Sequence, residues 1–300
     1  MFEAPVPILR CGSRELKLDR CRIMAIINVT PDSFSDGGAF ATVDAAVARA
    51  KILVEQGADL IDVGGESTRP GATPVTLADE LARVVPIIAA IALAVDVPIS
   101  VDTSRPEVMR AAVAAGAGMI NDVRALRGEG ALDAAAELNV PVCLMHMQGE
   151  PATMQDDPQY DDVVGTVHRF LTERLFACEM AGMARKQLVV DPGFGFGKSH
   201  EHNLELLRAM PRFAELGVPV LAGLSRKGMI GTITGRPPDQ RAVGSAAAAL
   251  LAAQGGALLV RVHDVAETRD ALAVLHAVGT AKPGKPGAKQ PFGSARFGDD

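Results

Sequence analysis

Two hydrophobic periods alternate along the chain. Short runs of consecutive apolar, often β-branched residues occur at Ile23–Asn28, Leu60–Val63, Ile99–Asp102, Met119–Asn121, Val140–Met145, Leu188–Asp191, Val218–Ala222 and Leu258–Val262. Such runs suit strands buried on both faces. Between them the apolar spacing widens to about 3.6 residues, most clearly over Val43–Gln56, Leu77–Ala94, Pro106–Ala115, Val163–Ala181 and Gln240–Ala253. These stretches predict helices. Glycines stand where a helix would stop before the next strand, at Gly57, Gly116, Gly182, Gly217 and Gly255, as a left-handed C-cap favours.

Strands alternating with helices predict parallel βαβ units. The eight candidate strands predict an α/β fold, a (β/α)8 TIM barrel, which typically takes about 250 residues. A doubly wound open sheet is the alternative. Residues 1–22 precede the first barrel strand. Within them, Cys11-Gly12-Ser13 lies between Ile8-Leu9 and Leu16-Lys17-Leu18, which predicts an N-terminal β-hairpin capping the barrel bottom. The barrel then occupies 23–280. The segment 281–300 is rich in Gly, Pro and Lys without periodicity and reads as a disordered tail.

Composition narrows the class. The 300 residues are 48% apolar and 22% charged, as in an ordinary globular protein. A net charge of −6 and the absence of tryptophan argue against a general nucleic-acid binder. Cys11, Cys21, Cys143 and Cys178 form no CxxC pair, which fits a reducing cytosol better than a disulfide framework. The start, MFEAPVPILR, lacks a signal-peptide pattern. The apolar stretch 245–260 is interrupted by Gln254-Gly255-Gly256 and is too short for a membrane span. The expectation is a cytoplasmic protein.

Catalytic groups of such barrels sit at the C-terminal ends of the strands. Those ends carry Asn28, Asp62 and Glu66, Asp102, Asn121, His146, Asp191, Ser225-Arg226-Lys227, and Arg261 with His263. One Asp or Asn at a strand end is ordinary turn or capping chemistry. So many converging polar groups would be left desolvated without a ligand. Asp102, Asn121 and Asp191 suit a flat heterocycle bearing amino and amide groups, because a carboxylate accepts two N–H bonds from a guanidine-like edge. Arg261, His263 and Asn28 suit an anion, with Asn28 offering an oxygen that Mg²⁺ could share with a diphosphate.

PGFGFGKS, from Pro192, imitates a phosphate-binding GxxxxGK[ST] loop. Proline occupies the first glycine position and has no N–H for a phosphate. The glycines more plainly let the chain turn over a ligand, presenting Phe196 as a wall.

NVTPDSFSDGG from Asn28, GADLIDVGGESTRPGA from Gly57, ISVDTSRPEV from Ile99, INDV from Ile120, VVDPGFGFGK from Val189, LAGLSRKGMIG from Leu221 and RVHDV from Arg261 together resemble dihydropteroate synthase. The matches run in order from the first strand to the eighth. The resemblance implies condensation of 6-hydroxymethyl-7,8-dihydropterin diphosphate with p-aminobenzoate in folate biosynthesis. It implies pterin contacts at Asp102, Asn121, Asp191, Lys227 and Met145, and diphosphate contacts at Asn28, Arg261 and His263. Asn28 would also be the Mg²⁺ ligand, and Lys227, Asp191, Arg261 and His263 would carry the reaction. The p-aminobenzoate pocket and its mobile loops would draw on Asp32, Phe34, Asp36, Thr68, Arg69, Pro70, Phe196, Ser225 and Gly228. Gly228 departs from the hydroxyl residue common at that position. Sulfonamide inhibitors and a homodimer are further implications.

The amine is already a nucleophile, so no Ser–His or Cys–His pair is needed. Breaking the C–O bond to diphosphate is the barrier, and an electron-rich pterin makes an SN1-like path reasonable. The competing readings are a pterin-binding methyltransferase module and a catalytically silent barrel serving as a binding or scaffold protein.

Overall fold

The computed structural model describes residues 6–29, 43–66, 75–149, 153–155 and 157–281. It begins with an antiparallel hairpin of β1 (Ile8–Cys11) and β2 (Arg14–Lys17), turned at Gly12 with φ 65°. The barrel opens with β3 (Arg22–Asn28), α1 (Val43–Gln56), β4 (Leu60–Gly64), α2 (Leu77–Ala94), β5 (Ile99–Asp102) and α3 (Pro106–Ala114). It continues with β6 (Met119–Asp122), α4 (Ala131–Leu138), β7 (Val142–Met145), α5 (Val163–Met180) and β8 (Leu188–Asp191). The remaining elements are α6 (His200–Arg208), α7 (Met210–Ala214), β9 (Leu221–Ala222), α8 (Gly228–Thr234), α9 (Ala242–Gln254), β10 (Leu259–Val262) and α10 (Val265–Thr280).

Among the described residues, β3 to β10 form one eight-stranded sheet in the order β8-β7-β6-β5-β4-β3-β10-β9. Every pair in it is parallel. A parallel bridge between Val190 and Val220 brings the two outer strands together, with Val190 N–H donating to Pro219 O at 3.0 Å. The sheet is a TIM barrel, and the open-sheet alternative falls away. The predicted strand over 218–222 shrinks to Leu221–Ala222, since Pro219 has no N–H for a ladder. The left-handed residue after α9 is Gly256, at φ 104°, rather than Gly255, at φ −78°.

Side-chain alternation divides each strand between two environments. Ile23, Ala25, Ile27, Ile61, Val63, Ile99, Val101, Ile120, Val142 and Val190 face outward into the main core beneath the helices. Met24, Leu60, Met119, Cys143, Val189, Leu221 and Leu259 face inward and make an apolar floor with Leu9, Cys11, Leu16 and Leu18 of the hairpin. The hairpin therefore plugs the bottom of the barrel. Arg14 fastens it by donating to Ala92 O at 2.9 Å and Val95 O at 2.7 Å, at the end of α2.

Gly118 lies directly against the hairpin, where a Cβ would strike the Cys11 backbone. Gly118→Ala is expected to lower stability by about 1–3 kcal/mol through overpacking, measured by urea unfolding. An unchanged midpoint would show that the plug is not seated there.

Candidate active site

Two residues above the apolar floor, the inward positions change character. They read Ile26, Asp62, Asn121, Met145, Asp191, Gly223 and Arg261, with Asp102 following buried Ser100 on β5. Burying such groups inside a barrel is costly unless they are paired. Arg261 supplies much of the pairing. Its Nε donates to Asp62 Oδ2 at 2.6 Å, and its Nη2 donates to Asp102 Oδ2 at 2.7 Å. Asn121 Nδ2 reaches the same Asp62 oxygen at 3.3 Å. One guanidinium thus ties β10 to β4 and β5 across the interior. Burial nevertheless pushes Asp102 up to about 7, with Arg261 opposing and Asp62 and Asp122 reinforcing the rise. Burial works against the Arg261 charge too, but Asp62 and Asp102 outweigh it and hold the guanidinium protonated.

The opposite wall is built by Asp191 and Lys227. Asp191 Oδ1 accepts the Gly193 N–H at 2.7 Å. A Cβ placed on Gly223 would lie 3.7 Å from Asp191 Oδ2, 3.8 Å from Lys227 Nζ and 4.0 Å from Arg261 Cβ. That glycine marks the point on which the three side chains converge. Lys227 Nζ donates to Phe194 O and stands 4.4 Å from the centre of the Phe196 ring. Burial lowers Lys227 to about 8, with Asp191 opposing. Burial raises Asp191, with Lys227 foremost among the opposing groups.

Lys227 is carried on a braced turn. Arg226 adopts φ 57°, a left-handed conformation that costs a non-glycine residue energy. Its guanidinium forks onto Asp264, and its N–H donates to Ser245 Oγ at 2.9 Å. Arg241 Nη1 meets Arg226 O at 3.0 Å and Lys227 O at 3.3 Å. Ser225 Oγ lies 3.0 Å from His263 Nδ1 and accepts the His263 N–H at 3.1 Å. Gly228 opens α8, and a Cβ there would meet nothing within 4 Å.

Asp102, Asn121, Asp191, Lys227 and Arg261 are thus drawn into one interior cluster. Ser225 and His263 pair at its rim. Met145 joins Val123, Met147 and Met154 in a small apolar cluster against which Phe196 packs, so these two form one wall. Asn28 closes β3. Asp32, Phe34, Asp36, Thr68, Arg69 and Pro70 lie outside the described residues, as does the tail beyond Ala281. Arg261, expected at an anion, turns its fork onto two carboxylates. Sequence reading gave no role to Asp62, although an Asp inside the apolar run LIDVG was the available signal. Lys198, met only as part of the loop that imitates a phosphate binder, is buried and donates to its own turn.

Among the described residues no group of three or more His, Cys, Asp or Glu could hold a metal ion. The Asn28 amide oxygen still fits Mg²⁺, which keeps several waters and is commonly held by few protein oxygens together with substrate phosphates.

Asp62 Oδ1 and Ser100 Oγ are buried without hydrogen-bond partners, and the two residues are register partners on β4 and β5. Even so, Asp62 carries the Arg261 pair. Asp62→Ala is expected to cost about 3–5 kcal/mol, the cost of leaving one member of a buried pair behind. Denaturant unfolding measures it, and a loss below about 1 kcal/mol, the worth of an exposed pair, would contradict this reading of the Arg261 fork.

The family described as Pterin binding enzyme matches residues 24–263. The chain is 51% identical over 270 residues to a dihydropteroate synthase of Escherichia coli (strain K12), covering 90% of this chain and 96% of that one. A Xanthomonas albilineans dihydropteroate synthase structure with 4-aminobenzoic acid superposes at a TM-score of 0.89 and 63% identity, covering 93% of this chain and 100% of that one. A structure from the same organism with 7,8-dihydropteroate gives 0.85 and 60%, covering 92% and 100%. A Yersinia pestis dihydropteroate synthase with a sulfonamide drug gives 0.88 and 47%, covering 91% and 100%. Its barrel, its ordered strand-end residues and these likenesses agree: the chain belongs to the dihydropteroate synthase family of pterin-binding enzymes.

Proposed function

We propose that the chain joins 6-hydroxymethyl-7,8-dihydropterin diphosphate to p-aminobenzoate, forming 7,8-dihydropteroate and releasing diphosphate. The observation that carries this reading is the convergence of Asp191, Lys227 and Arg261 over Gly223, beside Asp102 and Asn121. Carboxylates and an amide there suit the guanidine-like edge of a pterin, and the cations suit its carbonyl and leaving group. The complexes of relatives with 4-aminobenzoic acid and with 7,8-dihydropteroate support the second substrate and the product of this reaction.

Arg261 and Asp102 hold each other. Substrate entry then proceeds by exchange of partners. Ring N–H groups replace the guanidinium on Asp102, while diphosphate oxygens replace the carboxylate on Arg261. Each buried charge keeps a counter-charge throughout, which limits the desolvation cost. Asp191 and Asn121 orient the pterin, and Lys227 donates to it from the braced turn. His263, oriented by Ser225, adds a donor for the leaving group. Asn28 would hold Mg²⁺ against the diphosphate, and the ion when bound supplies charge to that leaving group.

C–O cleavage ahead of attack releases diphosphate and gives a pterin-stabilised cation; the amine of p-aminobenzoate captures it, forming the C–N bond and giving up one proton to solvent. Phe196 and the Met145 cluster supply an apolar wall beside that path, keeping water away. Ser225 and the Gly228 N–H lie on the side assigned to the p-aminobenzoate carboxylate, and sulfonamides would compete there. A homodimer belongs to the same reading and is supported by Val243 and Leu251, exposed on α9. No helix among the described residues is long and apolar enough to cross a membrane.

Diphosphate release is expected only when both substrates are present. Well-folded protein that releases none would favour the silent barrel. Methyl transfer to a corrinoid would favour the methyltransferase module. Lys227→Ala and Asp191→Ala should each lower kcat/KM roughly a hundredfold or more while leaving the far-UV circular dichroism spectrum unchanged. Wild-type rates in either variant would defeat the site assignment.

The pH profile offers a separate check. Asp102 and Asp191 act as carboxylates and Lys227 as an ammonium. Burial raises both acids and lowers the lysine to about 8. Activity should therefore rise with pH through an acid limb above the ordinary carboxylate range, then fall through a basic limb near 8. A flat profile from pH 5 to 9, a window that should contain both limbs, would contradict these roles.

A further inference from the structure

The turn after β8 is irregular, yet each of its carbonyls from Gly193 to Gly197 finds a side-chain donor. Lys227 Nζ donates to Phe194 O, Gln155 Nε2 to Gly195 O, and Tyr160 Oη to Gly197 O. Gly193 O and Phe196 O accept from Lys198 Nζ at 2.8 and 2.9 Å. Lys198 Nζ also lies 3.0 Å from His146 Nδ1 and 3.4 Å from His146 O. Gly193 and Gly197 are pressed so closely on the end of β7 that a Cβ would strike the carbonyls of His146 and Gln148. Lys198 is the pin beneath this turn, only 3% exposed.

The neighbours of Nζ suit an ammonium. With His146 Nδ1 as an acceptor, that ring nitrogen and the carbonyls of Gly193 and Phe196 take three N–H groups. An ammonium has three; a neutral amine has two, and its lone pair would need the Nδ1–H tautomer of His146 to donate to it. Burial and then the Lys198 charge lower His146 to about 2. Its ring is therefore neutral, and the Nε2–H tautomer leaves Nδ1 to accept from Lys198. Burial drives Lys198 downward, and Asp191 is the group that opposes this.

We propose that Lys198 is a positioning residue for the reaction: its buried ammonium pins the turn that carries Phe194 and Phe196 against Lys227 and that presents the Gly193 N–H to Asp191. The inference rests on the function proposed above. Asp191 is faced by Lys227 from the cap of α8 and Arg261 from β10. It is also faced by Lys198 and the Gly193 N–H from the turn, and by Cys143 on β7. Asp62 and Asp102 share the same interior field. Loss of Lys198 removes one of the cations that oppose burial of Asp191, so protonation of that acid should move to higher pH.

The test compares Lys198→Gln and Lys198→Met with the wild-type chain, measuring kcat/KM for the pterin diphosphate from pH 5 to 9. The acid limb should move up by about 1 pH unit, giving about tenfold loss on the acid side and a smaller change on the plateau. A turn-holding role alone would lower the rate equally at every pH. An unmoved acid limb in folded, active variants would overturn the proposal. ¹⁵N NMR of lysine-labelled wild-type protein reads the charge whether or not the variants fold. A buried, slowly exchanging Nζ bearing three protons at neutral pH is expected, and one bearing two would overturn the proposal. Lack of wild-type turnover would count against the assigned reaction, and the Nζ proton count would still decide the charge of Lys198.

Discussion

Charge buried inside a barrel has to be neutralised there, and the Arg261 fork on Asp62 and Asp102 is where this chain does it. The inward face of the sheet is apolar at the floor and ionic two residues higher. Asp62, Asp102 and Asp191 are balanced by Arg261, Lys227 and Lys198, each from a different element. Such a set is a poor source of stability, because desolvation offsets much of the attraction. It is a good preorganised site, because fixed charges and donors need little rearrangement when a polar substrate arrives.

The rest of the fold holds that layer in place. The hairpin closes the bottom of the barrel, and Leu9 and Leu16 complete the apolar floor on which the ionic layer stands. At the rim, the backbone of Arg226 lies in a disfavoured region and is held there by Asp264, Ser245 and Arg241. Those contacts aim Lys227 across the mouth. On the other side, the turn after β8 is pinned by Lys198, Tyr160 and Gln155. Its glycines make close approach possible, and its side-chain donors replace the ladder that an irregular backbone lacks.

The strand ends were legible because a polar residue closing an apolar run stands out, as Asn28, Asp102, Asn121 and Asp191 do, while Arg261 interrupts its run one residue before the end. Helices α1 and α2 match their predicted spans because their apolar spacing is strong and their ends are marked. Partnerships were not legible. Arg261 meets Asp62 across 199 positions of sequence, and no local pattern reports such a contact. Asp62 stood among the strand-end polar groups without a role, and Lys198 looked like part of a phosphate loop. Strand β9 was overestimated because apolar residues on both sides of Pro219 conceal the missing donor. Gly255 and Gly256 are adjacent, so spacing alone did not tell which would take the left-handed turn.

The central claim is that a pterin diphosphate binds by exchanging partners with this internal ion-pair layer. A crystal structure of the chain with pterin diphosphate, Mg²⁺ and p-aminobenzoate tests it most directly. The account predicts the pterin edge on Asp191 and Asn121, ring N–H groups on Asp102 in place of Arg261, and diphosphate beside Arg261, His263 and Asn28. A bound pterin with the Arg261–Asp102 pair still intact, or a ring lying outside the Asp191–Lys227–Arg261 convergence, would contradict it.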